Sequence, residues 1–188
     1  MLMRTHPGTK AIAVPITSSG EIDMVAAPRG VRVVKTRNSH LAMMEATADK
    51  SIRFVGGNKG GFIFTDFFFA TDAMYSVAKI LEMMAKAGAG LGEIDDSIPR
   101  LSGARRNVNC SWEHKGKVMR RIMNDSDGRR RDLVDGVKIY LDDGSSALLI
   151  PDKERPLFHI NTEAPTQDAA EGLASAYEKK VMAWRDEP

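Results

Sequence analysis

Cysteine is almost absent from this sequence of 188 residues, and that absence excludes two classes of protein. Because Cys110 has no second cysteine to pair with, a disulfide framework and a cysteine-based zinc site are both excluded. An excess of charge is also missing, since 27 basic and 25 acidic residues leave a formal net charge of +2. That balance does not indicate a dedicated nucleic-acid binder.

Long apolar runs are missing as well. The aromatic stretch 62–75 is interrupted by Asp66 and Asp72 and is too short to span a bilayer. The first ten residues contain no sustained apolar segment of the kind that a secretory signal requires. We therefore expect a cytoplasmic protein with no membrane partner. Little sequence precedes the first predicted strand, so we also expect the chain to be a fragment.

The first part of the chain alternates between strand and helix patterns, which is typical of a largely parallel sheet with helices on its faces. Predicted strands cover 11–16, 31–34 and 52–55, and predicted helices cover 21–27, 39–48 and 91–97. A longer helix follows Thr71 or Asp72, either of which can cap it, and ends at Gly88.

A shift in composition across 99–106 predicts a linker, with one domain over 1–100 and a second over 101–188. Predicted strands in the second part cover 108–112, 137–141, 147–150 and 157–161, and predicted helices cover 115–123 and 166–184. Asp142, Asp143 and Gly144 form a hairpin turn. The resulting β-α-β-β-β-α order indicates an α+β layer with two helices on a mostly antiparallel sheet.

Five segments of the sequence are characteristic as an ordered series: GVRVVKT (30–36), FVGGNKGGFIFTDF (54–67), ATDAMYSVAKILEMMAKAG (70–88), DGVKIYLDDG (135–144) and LLIPDKERPLFHINTEA (148–164). In this order they resemble the third and fourth domains of the α-D-phosphohexomutases. The resemblance implies a three-layer α/β domain III followed by a smaller two-layer α+β, TBP-like domain IV. The wording IPDKERPLFH is most similar to the mutase-like part of proteins that fuse a mannose-1-phosphate guanylyltransferase to a phosphomannomutase.

The resemblance also implies an activity, the interconversion of hexose 1-phosphates and 6-phosphates, with mannose or glucose phosphate as the substrate. In that family a phosphoserine loop and a magnesium-binding aspartate loop belong to the first and second domains. We therefore expect the complete enzyme to use Mg²⁺, with no ligands for it in this chain. We expect the preceding mutase domains as partners and no mutase activity from these 188 residues alone. The oligomeric state stays open.

The glycine cluster after the strand 52–55 is the candidate sugar-binding loop. By resemblance, Gly57, Asn58, Lys59 and Gly60 contact the sugar hydroxyls, with Asn58 in place of the family's glutamate. An amide both donates and accepts hydrogen bonds but brings no charge. The alternative is a plain tight turn between strands. A nucleotide-type P-loop is disfavoured because no Gly-Lys-Ser/Thr follows the glycines.

The resemblance assigns the substrate phosphate to Lys35 and to a loop that contains Lys153 and Arg155. That loop departs from the family pattern: Ile150 stands at the usual arginine, Asp152 at the serine and Glu154 at the threonine. Two carboxylates beside two cations could nearly cancel their effect on a dianion. The alternatives are a solvated lysine at a strand end and an ordinary charged turn.

Two other segments have the composition of mutase loops but the wrong order or too few carboxylates. In 36–40 the asparagine precedes the serine, which argues against a phosphoserine loop. Asp125 and Asp127 offer two carboxylates beside the basic run 129–131, which is an unfavourable setting for a divalent cation. A solvated hairpin or a turn at a helix exit is the favoured interpretation of 125–129.

Three functions follow from these observations. The first is the C-terminal part of a phosphomannomutase- or phosphoglucomutase-like enzyme. The second is a degenerate mutase-like module that binds or stabilises, appended to a mannose-1-phosphate guanylyltransferase. The third, nucleic-acid binding through the basic run 129–131, is disfavoured by the near-neutral charge.

Overall fold

The computed structural model describes residues 1–58 and 60–187 and divides into two compact units, Met1–Pro99 and Arg100–Pro188. Unit 1 contains a four-stranded sheet in the order β2-β1-β3-β4. Its strands are β1 (Ala11–Pro15), β2 (Arg32–Thr36), β3 (Ile52–Val55) and β4 (Ile63–Phe64). Its helices are α1 (Leu2–Thr5), α2 (Glu21–Ala26), α3 (His40–Ala46), α4 (Ala73–Ala87) and α5 (Leu91–Asp96).

β1 is the centre of this sheet and pairs in parallel with both β2 and β3, while β4 runs antiparallel to β3. Every residue of β1 is buried, as expected for an apolar strand covered on both faces. Ala11 and Ala13 pack with Met43 of α3 on one face, and Ile12 packs with Ala26 of α2 on the other.

Capping residues in unit 1 explain where α4 begins and ends and where α3 begins. The Asp72 side chain accepts a hydrogen bond from the Tyr75 N–H at 2.7 Å, so Asp72 rather than Thr71 caps α4. Gly88 ends α4 in the left-handed conformation, at φ 60°. Ser39 caps α3 by accepting from the Ala42 N–H.

Unit 2 is a five-stranded antiparallel sheet in the order β5-β9-β8-β7-β6, with two helices packed on its core face. The strands are β5 (Ser102–Asn109), β6 (Arg131–Asp132), β7 (Val137–Tyr140), β8 (Ser146–Pro151) and β9 (Leu157–Ala164). The helices are α6 (Trp112–Asp125) and α7 (Gln167–Asp186). Val108, Ile122, Phe158 and Tyr177 contribute to the buried core between the sheet and the helices.

The predicted linker over 99–106 is largely wrong, because β5 begins at Ser102 and pairs with β9 along its whole length. Ala104 and Val108 of β5 are buried, and the intervening arginines obscure this alternation in the sequence. The predicted strand 108–112 ends at Asn109, and α6 already begins at Trp112. The short strand β6 was not predicted.

Candidate functional site

The carboxyl ends of the three parallel strands of unit 1 meet at one edge of the sheet. Loops beginning at Ile16, Arg37 and Gly56 follow β1, β2 and β3 there. In open α/β sheets this edge is the usual ligand position. We therefore expect a ligand of unit 1 at this edge, which these three loops form and which we call the ligand edge.

The loop after β3 depends on its glycines for its shape. Gly60 and Gly61 have φ of 85° and 76°, a region that residues with a Cβ rarely adopt. A Cβ on Gly57 would lie 3.0 Å from the Gly60 carbonyl oxygen, and the Gly60 N–H donates to the Gly57 carbonyl at 3.2 Å. The chain is thus folded tightly on itself between two strands.

Asn58 is exposed at this loop, where its amide nitrogen lies 3.5 Å from the Thr17 carbonyl in the loop after β1. The side-chain amide therefore lies at the ligand edge, where this long contact is its hydrogen bond within the described part of the chain. Lys59, the other polar residue expected in the loop, lies outside the described residues.

Lys35 lies near the end of β2, beside Val14 of β1, and its side chain is only 7 % exposed. Its Nζ forms an ion pair at 2.6 Å with Asp23 of α2. Sequence reasoning expected Lys35 to face a phosphate and missed Asp23, because the packing of α2 against β2 is a tertiary contact. Lys35 is accordingly paired within unit 1.

The expected phosphate loop of unit 2 connects β8 to β9 and is folded around the Asp152 carboxylate. Asp152 Oδ1 accepts from the backbone N–H groups of Glu154 at 2.8 Å and Arg155 at 2.9 Å. These donors lower the pKa of Asp152, together with contacts from His159 and the Arg155 guanidinium. Two backbone donors of the loop therefore already bind a carboxylate, and only 10 % of the Asp152 side chain is exposed.

The cations of this loop are paired as well as exposed. Lys153 Nζ lies 2.9 Å from Asp135, and the Arg155 guanidinium lies 3.2 Å from Asp152. Both side chains are mostly exposed, and ion pairs of this kind are weak. The partner carboxylates are only about one tenth exposed, so an anionic ligand would have to compete with Asp135 and Asp152 for these two cations.

Lys115 of α6 holds the β8–β9 loop through hydrogen bonds to its backbone, a role that was not predicted from the sequence. Its Nζ donates to the carbonyls of Asp152 at 2.5 Å and Arg155 at 2.6 Å, and lies 3.5 Å from the centre of the Trp112 ring. His159 adds a second support, because its ring nitrogens lie 2.8 Å from Asp152 Oδ2 and 2.7 Å from Asn107 Oδ1. The only sequence signal for Lys115 was a lysine one helical turn from Trp112 in an amphipathic helix.

The two other mutase-like segments take ordinary structural roles. Ser39 is the cap of α3, and 125–129 is the turn at the exit of α6, with Asp125 paired to Lys180 at 2.7 Å. Within residues 1–58 and 60–187 no group of three or more His, Cys, Asp or Glu side chains could hold a metal ion. No helix in that described part is long and apolar enough to cross a membrane.

An α/β unit followed by an antiparallel α+β unit is the arrangement expected for a phosphohexomutase. The family model for phosphoglucomutase/phosphomannomutase, alpha/beta/alpha domain III, matches residues 1–101 of the chain. The chain therefore belongs to the phosphoglucomutase/phosphomannomutase family, the α-D-phosphohexomutases. The family resemblance and the predicted fold class are both confirmed.

Among individual proteins, the chain is similar to a probable phosphoglucosamine mutase of Methanothermobacter thermautotrophicus, with 29% identity over 174 residues. It is also 27% identical over 164 residues to a phosphoglucomutase/phosphomannomutase of Thermococcus kodakarensis. These matches cover 90% and 87% of this chain but only 38% and 36% of the relatives. The chain thus spans less than two fifths of the length of these relatives.

The solved structures agree with this fold. A phosphoglucomutase/phosphomannomutase family protein from Burkholderia thailandensis superposes with a TM-score of 0.78 at 16% identity, covering 98% of this chain and 40% of that one. N-acetylphosphoglucosamine mutase of Aspergillus fumigatus, in complex with GlcNAc-6P and magnesium, superposes with a TM-score of 0.65 at 11% identity, covering 96% and 44%. The expected likeness to guanylyltransferase fusions rests on the wording of one loop and stays a prediction.

Proposed function

We propose that this chain is the sugar- and phosphate-binding part of a hexose-phosphate mutase and acts with a mutase portion that carries the phosphoserine and the magnesium site. The observation that supports this most directly is the glycine loop 56–61. It follows β3 at the ligand edge of a unit that matches the family's domain III. Phosphoryl transfer depends on positioning and on charge neutralisation, and this part supplies positioning.

In this proposal the exposed Asn58 amide contacts two adjacent sugar hydroxyls, donating to one and accepting from the other. The backbone at Gly57 and Gly60 permits close approach of the sugar ring. Asp23 neutralises Lys35 in the free chain, so in this proposal Lys35 contacts the substrate phosphate by exchanging that partner. Lys59 is assigned to the same loop on sequence grounds.

The substrate phosphate is assigned to Lys153 and Arg155, whose side chains are exposed on the β8–β9 loop. The backbone donors of this loop are engaged by Asp152. Binding therefore depends on the two side-chain cations, and we expect weak affinity for a phosphate dianion.

The proposed substrate is a hexose phosphate, and its sugar is one of three: glucose, mannose or glucosamine. The first two follow from the family resemblance, and the third follows from relatives that are named phosphoglucosamine mutases. In this proposal the complete enzyme uses magnesium, which the Aspergillus structure contains, and the magnesium ligands belong to the portion outside this chain.

Titration of the purified 188-residue protein with glucosamine, glucose and mannose 1-phosphates, followed by ¹H–¹⁵N NMR, tests the proposal. We expect saturable shifts in loop 56–61 and in 152–156. Asn58→Ala should weaken the first set, and Arg155→Ala the second. Lys86→Ala, which changes an exposed lysine of α4, is the matched control. Absence of saturation with all three sugars would refute sugar-phosphate binding, and mutase turnover by this protein alone would refute the division of labour.

A second candidate function is supported by Asp152, because a carboxylate bound to the loop's own N–H groups is the arrangement of a loop that has lost its anion. In that case the chain is a structural or regulatory mutase-like module, for example one appended to a mannose-1-phosphate guanylyltransferase. Asp152→Ser distinguishes the two. If the unchanged chain shows no measurable phosphate binding and Asp152→Ser gains it, the module is favoured. Saturable phosphate binding by the unchanged chain favours the mutase part.

A further inference from the structure

Trp112, the first residue of α6, is the largest apolar side chain that is exposed in the described part of unit 2. It is 54% exposed, whereas Trp184 of α7 packs against the core of that unit. A single exposed apolar residue is ordinary at a protein surface, so the groups around the indole decide what it can do.

The indole of Trp112 lies beside the β8–β9 loop. The Lys115 ammonium group lies 3.5 Å from the centre of the ring, and it donates to the carbonyls of Asp152 at 2.5 Å and Arg155 at 2.6 Å. The ring and the loop therefore pack against the same buried cation.

The backbone holds the start of α6 next to the end of the same loop. The Cys110 N–H donates to the Pro156 carbonyl at 2.8 Å, two residues before the indole. Since Lys115 covers one face of the indole, the exposed area of Trp112 lies on the other face and on the ring edges. An aromatic face is thus open to solvent beside the loop to which the substrate phosphate is assigned.

The loop itself offers a phosphate few partners that are not already engaged. Its backbone N–H groups bind Asp152, and Lys153 and Arg155 are paired with carboxylates. An aromatic wall beside such a loop supplies affinity of another kind. The C–H groups of a sugar ring carry a small positive charge and pack well against the negative face of an aromatic ring. Sites for small organic ligands commonly combine such walls with a few polar groups.

We propose that Trp112 contacts the pyranose ring of a hexose phosphate whose phosphate group lies at Lys153 and Arg155, so that the indole orients the sugar. This inference rests on the proposed function, because it takes the β8–β9 loop as the phosphate site. It gives unit 2 a role in binding the sugar as well as the phosphate. The site should then prefer a cyclic sugar phosphate to inorganic phosphate and to the phosphate of a short acyclic alcohol.

A comparison of ligands with and without a sugar ring separates contact with the sugar from support of the loop. The 188-residue protein is titrated with the 1-phosphates of glucosamine, glucose and mannose, with glycerol 3-phosphate and with inorganic phosphate. ¹H–¹⁵N NMR follows the amides of 152–156 and the indole N–H signals of Trp112 and Trp184. We expect the loop amides to shift with every ligand that binds, and the Trp112 indole to shift strongly only with a hexose 1-phosphate. At least one hexose 1-phosphate should bind about three- to tenfold more tightly than glycerol 3-phosphate.

Substitutions locate the preference. Trp112→Ala should remove it and leave the affinity for inorganic phosphate unchanged, because the loop keeps its cations. Trp112→Phe should retain most of the preference, since a flat aromatic face remains. Met182→Ala truncates an exposed apolar residue of α7 and is the matched control, which should change no affinity. If Trp112→Ala weakens all ligands by the same factor, Trp112 only supports the loop and the proposal is wrong.

The same titrations keep this inference separate from the proposed function. Saturable binding of a hexose 1-phosphate with a stationary Trp112 signal and no preference over glycerol 3-phosphate would overturn the sugar contact and leave the proposed function standing. Absence of saturation with all three hexose 1-phosphates would overturn both. The indole signal of the unchanged protein tests the contact without any substitution, so the result does not depend on the folding of a variant.

Discussion

Replacing Lys115 by Met should release the β8–β9 loop while keeping the side chain's length and apolar stem. Lys115 is buried, and its ammonium group donates to the carbonyls of Asp152 and Arg155 and stacks over Trp112. Both carbonyls lie in the loop that carries the proposed phosphate ligands. The substitution therefore tests whether that loop is held by a single buried cation.

The expected cost follows from the three contacts. Each hydrogen bond to a charged donor is worth about 1.5–3 kcal/mol, and a desolvated cation–π contact about 2 kcal/mol. Removing the ammonium group also removes its desolvation penalty, which is several kcal/mol for a buried ion. We therefore expect a net decrease of about 2–4 kcal/mol in the free energy of unfolding of unit 2.

Urea unfolding followed by tryptophan fluorescence measures this cost in unit 2 alone, because Trp112 and Trp184 are the two tryptophans of the sequence. Lys153→Met makes the same chemical change at a side chain that is mostly exposed, so we expect a smaller decrease in the free energy of unfolding there. NMR shifts of the Glu154 and Arg155 amides report the loop directly. If Lys115→Met and Lys153→Met shift the urea midpoint equally, the buried cation does not hold the loop.

Four further outcomes are expected. Lys35→Met should cost about 1–2 kcal/mol in chemical unfolding of unit 1, since it leaves a half-buried carboxylate of α2 unpaired, whereas Arg32→Met at an exposed pair should cost less than about 1 kcal/mol. Ser18→Ala should raise the free energy of unfolding by about 1 kcal/mol because the buried hydroxyl has no hydrogen-bond partner among the described residues, and a decrease would show that it has one. Burial raises the pKa of the Cys110 thiol, so a thiol reagent at pH 8 should react only after urea unfolds unit 2. The pKa of Asp152 is lowered chiefly by backbone N–H donors, so its stabilising effect is present above the ordinary carboxyl pKa of about 3.9 and is lost as pH falls below that value. The stability of Asp152→Asn should depend less on pH below that value than the stability of the unchanged chain. An unchanged pH profile would contradict a stabilising role of the ionised Asp152 carboxylate.

Local sequence patterns predicted the ends of a helix correctly where a single residue type determines the backbone conformation at that position. Asp72 and Gly88 mark the ends of α4 because a side-chain acceptor and a left-handed glycine are strong local signals. β5 was largely taken for a linker because the charged residues among its buried positions disguise a strand whose partner, β9, lies about 55 residues later. Pairing between strands far apart in sequence leaves no local trace.

The candidate sites divide in the same way. The tight turn at Gly57 and Gly60 could be predicted from sequence, because only glycine tolerates the close approach and the positive φ that this loop needs. The contact of Asn58 with a sugar came from the family resemblance and stays a prediction. The sequence also showed two carboxylates and two cations in 152–155, but not that Asp152 binds the loop's own N–H groups.

By itself, then, the sequence determined the family and most of the elements, and it predicted two loops as ligand contacts, because these depend on residue type and spacing. Only the tertiary structure decided which charges are already paired, with Lys35 on Asp23 and Lys115 beneath the β8–β9 loop. It alone showed that the exposed Trp112 lies beside that loop. Pairing and proximity depend on segments far apart in the chain, and their distances are set only when the sheet and helices have packed.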